Sequence, residues 1–356
     1  MFAVCVVSPM PDRLPVVVLT HAGGAHVEGY LQGLAASEAC GPVLLSDPDG
    51  NWAEKARNIL QDRLQQVVKS PAEALQQIPP GPSLALISYE ARLAPPIIQS
   101  ALQAGCHVLA EKPGCVRVEE FRPLVQLADS RHQFLMLAFA NRLKPEILAA
   151  RKLIAEGTLG RIFGIELHLV ADQTRLTNPA YHKQWYAARE RAGGGHLIWL
   201  GIHWLDLAMF VTGSPIVAAT GLTANIGGQP LDVEDSAVAA LRFEAGFLGT
   251  LTSGYYLQTG YHSHLQIWGS NGWLKMDPVN EKQLRWSVHK GPRAGEIQEL
   301  PPSTAPNSYT PLVQASVAAA LRGDSPPLTA ADSLRALEAV FGVYRAMETG
   351  QTQSLT

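Results

Sequence analysis

Short apolar runs alternate with helical patterns over the first 140 residues of the chain, and this alternation constrains the fold more than any other feature. The run LPVVVLT (14–20) is typical of a buried strand, and an amphipathic helical pattern follows it. The same order recurs at SLALISY (83–89) and at CHVLAEKPG (106–114). Parallel strands need long crossover connections, which helices usually supply. The pattern therefore predicts a parallel sheet with right-handed crossovers.

The pattern changes after residue 150. Strand-like runs separated by turns predominate there, and one long apolar helix is predicted over GGHLIWLGIHWLDLAMFVTG (194–213). Consecutive hairpin-like strands favour a large, mostly antiparallel open sheet. We therefore expect an α/β fold with two domains: residues 1–140 hold the parallel sheet, and residues 141–356 hold the antiparallel one.

Composition narrows the functional classes. The chain has 356 residues, of which 47% are hydrophobic and 17% charged, so it can bury two cores and is not disordered. A net charge of −3 gives no basic surface for nucleic acid. The four cysteines lack CxxC or zinc-ligand spacing, so we predict reduced thiols and no metal site. We find neither a signal peptide nor an apolar stretch of roughly 18 residues, and we expect a cytoplasmic protein without membrane partners.

Polar residues and glycines cluster where the predicted parallel strands end. Asp47 and the stretches HAGG (21–24), SYE (88–90) and EKP (111–113) all fall at such ends. Ligands of open α/β sheets bind outside the carboxyl ends of the strands. The clustering therefore predicts a binding site at this edge.

The turn at Gly23 and Gly24 lies between a strand and a helix, where backbone N–H groups and a helix N-terminus can hold a pyrophosphate. The usual fingerprint has glycines at positions 21 and 26, but this chain has His21 and His26, so a plain strand–turn–helix is the alternative. Asp47 lies roughly 20 residues further on, where an acid binds the ribose of NAD and repels a 2′-phosphate. Its alternative is a turn aspartate. Together these features favour a dinucleotide site that prefers NAD(H) over NADP(H).

Lys112 stands between a glutamate and a proline at a strand end. Pro113 favours an extended backbone at Lys112, so the lysine leaves the strand without entering a helix and can face a cleft. Its ammonium could donate to a substrate oxygen, or transfer a proton if burial lowers its pKa. The alternative is a lysine in a solvated turn.

The predicted helix in the second half carries a polar stripe. On a helical wheel, His196, Trp199, His203 and Asp206 lie within about 80° of one another. Asp206 is three residues from His203 and is the candidate to orient it, whereas the alternative is a core histidine bonded to Asp206 or to backbone. The preceding glycines, residues 193–195, allow another group to approach the helix start closely.

AGCHVLAEKP (104–113) resembles the AGkHVlxEKP motif of the Gfo/Idh/MocA oxidoreductases. The resemblance continues collinearly from about residue 15 to 350, through AFANRLKP, EGTLGRIFGIELHL, GGGHLIWLGIHWLDLAMFVTG, VEDSAVAALRFEAGFLGTLTSG and LQIWGSNGWLKMD. It implies an N-terminal Rossmann dinucleotide-binding domain and a C-terminal α/β domain with a large open sheet. It also implies a nicotinamide cofactor and hydride transfer, often at a sugar or cyclitol carbon.

The resemblance also implies roles for individual residues. Lys112 matches the family lysine near the reacting oxygen, and His203 matches the histidine often assigned as acid/base, so these two are the expected catalytic residues. The expected cofactor contacts are His21, Gly23, Gly24, Ala25, Asp47, Ser88, Tyr89, Glu111, Lys112 and Asn141. The expected substrate contacts are Arg142, Trp185, Tyr186, Trp199 and His203, with the aromatic rings as a sugar platform. We also expect a homo-oligomer formed through the C-terminal sheet.

These features together predict an NAD(H)-dependent oxidoreductase that acts on a carbohydrate-like hydroxyl or ketone. Trp199 stands where the family commonly has an aspartate, and the frequent Pro and His after the fourth strand are absent. Two alternatives stay open. One is an NAD-dependent glycoside hydrolase that uses transient oxidation, with His196, Tyr255 or Tyr256 as a further acid/base. The other is a non-catalytic NAD-binding regulator, which Trp199 favours.

Overall fold

A six-stranded parallel sheet forms the first part of the molecule. The computed structural model describes residues 13–21, 24–279, 283–302 and 309–355. The strands are β1 (Leu14–Thr20), β2 (Cys40–Ser46), β3 (Leu64–Val68), β4 (Leu84–Ser88), β5 (His107–Ala110) and β6 (Leu135–Leu137), in the order β3-β2-β1-β4-β5-β6. The helices between them are α1 (Val27–Ala35), α2 (Ala53–Leu60), α3 (Pro71–Gln76), α4 (Ala94–Gln103) and α5 (Val118–Ser130). The sheet order and the parallel pairing confirm the predicted Rossmann-like class.

A nine-stranded, mostly antiparallel sheet forms the second part. Its strands are β7 (Ile162–Asp172), β8 (Ile216–Ala224), β9 (Ser236–Phe243), β10 (Leu248–Leu257), β11 (Tyr261–Gly269), β12 (Gly272–Asp277), β13 (Gln283–Val288), β14 (Gln298–Leu300) and β15 (Gln353–Ser354). Their order is β14-β13-β12-β11-β7-β10-β9-β8-β15, and only β7 and β10 pair in parallel. This confirms the predicted antiparallel character.

Five further helices accompany this sheet: α6 (Pro145–Ala155), α7 (Arg189–Ala192), α8 (Ile202–Thr212), α9 (Tyr309–Arg322) and α10 (Ala330–Thr349). Helix α10 packs against β8 and α8 on one face of the sheet. The opposite face exposes large apolar side chains in two pairs: Leu222 lies beside Val238, and Leu248 and Trp268 lie on either side of Gly164.

The last two helices also contact the parallel sheet and its helices. A Cβ atom on Gly33 of α1 would lie only 2.7 Å from Val313 of α9, so the two helices approach closely there. In α10, the Ser333 hydroxyl oxygen accepts a hydrogen bond from the Leu137 N–H of β6 at 3.0 Å. The predicted division at residue 140 therefore stays a prediction, because the C-terminal helices pack on both sheets.

The long apolar segment 189–212 is a core element. By length and composition it could cross a membrane, but 83% of its most apolar window is buried inside the molecule. Its apolar character is explained by packing between the sheets.

Candidate active site in a cleft between the two sheets

A cleft of about 500 Å³ opens beside the carboxyl end of β5 and the start of α8. Four of the side chains predicted from the sequence line it together: Lys112, Tyr186, Trp199 and His203. Nine further residues complete the lining: His26, Arg175, Asn178, Ala180, Tyr181, Gln184, Leu200, Tyr261 and Tyr309. The cleft therefore combines residues from both sheets.

Lys112 is buried, with only 2% of its surface exposed, so the solvated-turn alternative does not describe it. Its Nζ donates to the backbone carbonyl of Trp199 at 2.7 Å and lies 3.9 Å from the centroid of the Trp199 ring. Burial lowers the pKa of Lys112 to about 8, against the opposing effect of Glu111. A lysine with this pKa can hold or release a proton near neutral pH.

His203 lies at the start of α8, with Phe139 packed edge-on against its ring at 5.9 Å. Its Nδ1 is buried and has no hydrogen-bond partner among the described residues. Burial and the neighbouring charges of Lys112, His26 and Lys144 hold the pKa of His203 well below its usual value. The imidazole is therefore neutral at neutral pH, and one of its ring nitrogens carries a lone pair that can accept a hydrogen bond.

A π-helical turn, Leu197–Gly201, precedes α8 and breaks the predicted polar stripe. In a π-helical turn the backbone hydrogen bonds join residues five apart instead of four. The side chains before the turn are therefore rotated about the helix axis relative to those after it. His196 is consequently fully buried, and its Nδ1 lies 2.7 Å from the hydroxyl of Ser253. Burial lowers the pKa of His196 to about 3. Only Trp199 and His203 of the predicted stripe reach the cleft.

Arg142 and Asp206 differ from their predicted roles. Arg142 was expected at the substrate, but its guanidinium is buried against Asp206, with Nε 3.0 Å from Oδ2, and it also pairs with Asp332 at 3.3 Å. Asp206 was expected to orient His203, but its carboxylate binds this arginine. A buried carboxylate needs a charged partner more than a neutral ring does, so this pair ties α8 to the turn that follows β6.

Aromatic rings form one wall of the cleft. Trp199 lies 5.4 Å from Trp185 and 5.3 Å from Tyr186, and Tyr181 lies 4.6 Å from Tyr186. Trp185 is buried behind the other rings, so Tyr186 and Trp199 present the accessible surface. The predicted sugar-platform residues therefore lie together.

The glycines before α8 accommodate two residues that the sequence analysis did not identify. A Cβ on Gly195 would lie 1.9 Å from the Glu234 carbonyl oxygen, and a Cβ on Gly194 would lie 2.1 Å from the Tyr344 hydroxyl. The Glu234 carboxylate accepts from the N–H groups of Gly195 and Leu197 at 2.7 and 3.0 Å and from Tyr344 at 2.8 Å. Close approach was expected, but the approaching groups come from distant parts of the sequence.

The dinucleotide end of the site begins at the turn after β1. Gly23 lies outside the described residues, but a Cβ on Gly24 would lie 2.5 Å from both the carbonyl and the hydroxyl oxygen of Ser88. The Ser88 hydroxyl donates to the Ala25 carbonyl at 2.8 Å. His26 has the left-handed φ of 61° that glycine usually supplies, and α1 begins directly after it. Residues 24–26 thus lead directly into the N-terminus of α1, the kind of position at which an anion such as a pyrophosphate binds.

At the end of β2, two aspartates have different environments. Asp47 is buried, and its carboxylate accepts from the N–H groups of residues 51, 52 and 53 at 3.2, 2.9 and 2.9 Å, as expected for the turn-aspartate alternative. Asp49 is partly exposed and lies 2.9 Å from Nδ1 of His21. Tyr89 packs on His21 with ring centroids 5.5 Å apart, and burial raises the pKa of Tyr89 to about 12. The accessible carboxylate here is therefore that of Asp49.

Glu111 connects the dinucleotide end to the cleft. Its Oε2 accepts from the Tyr30 hydroxyl and lies 3.2 Å from Nδ1 of His26, whereas its buried Oε1 has no partner among the described residues. Burial would raise its pKa, but His26, Lys112 and Tyr30 hold it below its usual value. An ionised carboxylate with one unpaired oxygen suits a ligand hydroxyl. Together with the Gly24 turn, it makes the site fit a dinucleotide.

One predicted cofactor contact, Asn141, lies outside the cleft, and two residues that were not predicted lie in it. Asn141 lies in the short turn Ala140–Leu143 after β6 and does not line the cleft. Arg175 and Tyr181, which the sequence analysis missed, follow the end of β7. The polar stretch TRLTNPAYH (174–182) after that predicted strand was the available signal, because its strand end faces the same cleft.

Comparisons with known proteins agree with this architecture. Residues 15–139 match the family model described as the oxidoreductase family, NAD-binding Rossmann fold, and residues 147–275 match that of the GFO/IDH/MocA C-terminal domain. An uncharacterized oxidoreductase of Schizosaccharomyces pombe is 32% identical over 43% of this chain and 40% of its own length. The 1,5-anhydro-D-fructose reductase of Ensifer adhaerens is 28% identical over 72% of this chain and 74% of its own.

Two further matches bear on the cofactor and the fold. The D-xylose 1-dehydrogenase of Haloarcula marismortui, named for NADP(+), is 25% identical over 52% of this chain and 50% of its own length. A solved levoglucosan dehydrogenase in complex with NADH and levoglucosan has a TM-score of 0.85 at 17% identity, covering 96% of this chain and 99% of that one. The structural likeness shows a shared fold.

Proposed function

The chain belongs to the Gfo/Idh/MocA family of oxidoreductases, and from this premise we propose that it transfers hydride between NAD(H) and a hydroxyl or ketone carbon of a carbohydrate-like substrate. The observation that carries this proposal is the pairing of a buried Lys112 with a neutral His203 in one cleft beside a dinucleotide-fitting turn. The relatives named as a sugar reductase and a sugar dehydrogenase support it.

The chain's own residues supply the acid–base chemistry. When bound, the nicotinamide supplies the hydride acceptor or donor. In the oxidative direction, His203 or the neutral fraction of Lys112 accepts the hydroxyl proton. The Lys112 ammonium donates to the reacting oxygen and stabilises its developing negative charge. Tyr186 and Trp199 present faces on which a sugar ring can stack.

For the cofactor, the proposal assigns the pyrophosphate to the Gly24 turn and a ribose hydroxyl to Glu111. NAD(H) is preferred over NADP(H), because Asp49 places an accessible carboxylate at the end of β2, where a 2′-phosphate would meet like charge. Titration of the wild type and of Asp49→Ser with NADH and NADPH tests this preference. The wild type should bind NADH more tightly, and Asp49→Ser should narrow the difference. Tighter NADPH binding by the wild type would contradict the assignment.

The proposal also includes a cytoplasmic homo-oligomer without nucleic-acid or membrane partners. The exposed apolar positions Leu222, Val238, Leu248 and Trp268 on the outer face of the second sheet support self-association there. Light scattering of the purified protein measures the oligomeric state directly. A monomer at micromolar concentration would contradict this part of the proposal.

Neither alternative from the sequence gains support in the cleft. The glycoside-hydrolase alternative needs a further acid/base, but His196 and Tyr255 are buried, and Tyr256 is bonded to Ser236 and does not line the cleft. The regulator alternative has to explain a lysine with a pKa near neutrality inside the cleft. Hydride transfer therefore explains the cleft residues better than either the glycoside-hydrolase or the regulator alternative does.

The main test follows reduction of NAD⁺ with a panel of neutral and acidic sugars and polyols. The wild type should reduce NAD⁺ with at least one of them, and Lys112→Ala should lose on the order of 10²-fold in rate, the usual scale for a missing acid/base. Lys152→Ala on the exposed face of α6 is the matched control and should retain full rate. Tight NAD⁺ binding without turnover of any substrate would favour the regulator, and a near-full rate in Lys112→Ala would remove the lysine from the chemistry.

A further inference from the structure

The charges that line the cleft are all of one sign. Lys112 and Arg175 contribute cationic groups, and no Asp or Glu is among the described residues of the lining. The neighbouring carboxylate, Glu111, is not part of the lining, and its Oε2 is bonded to Tyr30 and to His26. A concave site with an excess of positive charge attracts anions.

Arg175 differs from three arginines that pair with buried carboxylates. Arg142 pairs with Asp206, Arg122 pairs with Glu338, and Arg191 pairs with Glu90. Arg175 instead has no carboxylate within ion-pair distance among the described residues.

The local contacts of Arg175 leave its guanidinium available. It is exposed at the cleft, and its Nη2 donates to the hydroxyl of Tyr261 at 3.4 Å. The nearest acid along the chain, Asp172, accepts instead from the N–H groups of Thr174 and Gly260, at 3.1 and 3.0 Å. Asp172 is thus hydrogen-bonded to the backbone of its own loop and forms no ion pair with Arg175, although the charge of Arg175 helps to lower its pKa.

The proposed function assigns the remaining donors of Lys112 to the reacting oxygen, so a charged group elsewhere on the substrate needs a second receptor. The Nζ of Lys112 is held by the Trp199 carbonyl and covered by the indole ring. Arg175 enters the cleft from the loop after β7, and Lys112 enters it from the end of β5, near enough for the charge of Arg175 to help lower the pKa of Lys112. A ligand in the cleft can therefore contact Arg175 with one group and Lys112 and His203 with another.

We propose that the substrate is an anionic carbohydrate, carrying a carboxylate or a phosphate, and that Arg175 binds this group while the reacting carbon faces Lys112 and His203. The proposal rests on the hydride-transfer function proposed above and narrows its substrate class. A guanidinium pairs with a carboxylate or a phosphate through two parallel hydrogen bonds, which fixes orientation as well as affinity. Tyr186 and Trp199 form the wall along which the neutral part of the sugar lies.

The experiment compares D-glucuronate, D-glucose 6-phosphate and D-glucose as substrates with NAD⁺, in the wild type, Arg175→Gln and Arg175→Lys. The kcat/KM of the wild type should be at least about tenfold higher for an anionic sugar than for glucose. Arg175→Gln should lose about 10- to 100-fold on the anionic sugar, the effect expected for one charged hydrogen-bonding group, with little change on glucose. Arg175→Lys should recover part of the loss. Arg293→Gln, in an exposed pair with Glu296, is the control that should change neither.

Binding to the NADH complex, measured by protein fluorescence, separates this inference from the function on which it rests. Absence of turnover with all three sugars, but Arg175-dependent binding of an anionic one, would overturn hydride transfer alone. Equal use of glucose and both anionic sugars, or an equal loss on all three in Arg175→Gln, would overturn the substrate class alone. Preference for glucuronate over glucose 6-phosphate identifies the group as a carboxylate, and the reverse preference identifies a phosphate.

Discussion

Replacing Lys112 by methionine should make the free protein more stable at neutral pH while it removes activity. The lysine is buried, and burial lowers its pKa to about 8 from the ordinary 10.5. The folded state therefore disfavours the charge that the unfolded state accepts freely. Methionine has a similar length and no charge, so it keeps the packing and removes the cost.

The size and sign of the effect follow from proton linkage. Below pH 8 the lysine is protonated in both states, and the lowering of its pKa from 10.5 to about 8 destabilises the folded protein by about 3 kcal/mol. This destabilisation declines as the folded-state lysine loses its proton, and it vanishes above pH 10.5. By linkage it is about 3 kcal/mol at pH 6.5 and about 1 kcal/mol at pH 9.5. The loss of the donor to the Trp199 carbonyl costs about 1–3 kcal/mol at every pH and partly offsets the gain.

Urea unfolding of the free protein at these two pH values measures the prediction. Lys112→Met should be more stable than the wild type by up to about 2 kcal/mol at pH 6.5, and this difference should fall by about 2 kcal/mol at pH 9.5. Lys152→Met, whose side chain is exposed on α6, is the control and should show no pH-dependent difference. A Lys112→Met advantage that does not change between the two pH values would refute the desolvation of Lys112.

Three further predictions address the helix start and its neighbours. Gly195→Ala should cost about 2–3 kcal/mol in unfolding free energy, because its Cβ would meet a carbonyl oxygen at 1.9 Å, whereas Gly164→Ala should cost less; equal stabilities would contradict the close packing. Asp206→Asn should lower the free energy of unfolding by about 3 kcal/mol, because it leaves the buried Arg142 without its carboxylate partner. A shifted pH–rate profile at unchanged stability would instead support a role of Asp206 in orienting His203. His203→Asn should lower the rate on the order of 10²-fold, and an unchanged rate would place the proton acceptor elsewhere. If the neutral form of Lys112 accepts the proton, the rate of NAD⁺ reduction should rise with pH near 8, and this rise should persist in His203→Asn and disappear in Lys112→Ala.

Continuous apolar runs made much of the parallel sheet predictable. The runs that became β1 and β4 are buried on both faces, so their sequences are apolar throughout. β3 was missed because it is an edge strand, and its two glutamines, Gln65 and Gln66, face solvent. The edge of a sheet does not need a continuous apolar sequence.

The reacting end of the cleft was predictable because short motifs fix its residues. Lys112 follows a strand end directly, and Trp199 and His203 lie four residues apart on one helix. Tyr309 could not be found in this way, since it joins the cleft only through long-range folding, whereas the polar stretch after β7 was a signal for Arg175. The helical wheel also failed at His196, because a regular wheel has no place for a π-helical turn.

Helix α10 bears on how the chain can fold during synthesis. The Leu137 N–H of the edge strand β6 donates to the Ser333 hydroxyl of α10, and the glycine face of α1 packs on α9. The last fifty residues of the chain therefore cover part of the first sheet and its helices. A ribosome releases those residues only after more than 300 others. Until then the nascent N-terminal half has an open strand edge and an uncovered helix, which are the features that chaperones bind and that aggregation exploits. Removal of α9 and α10 should therefore yield an insoluble product and not a free-standing dinucleotide-binding half.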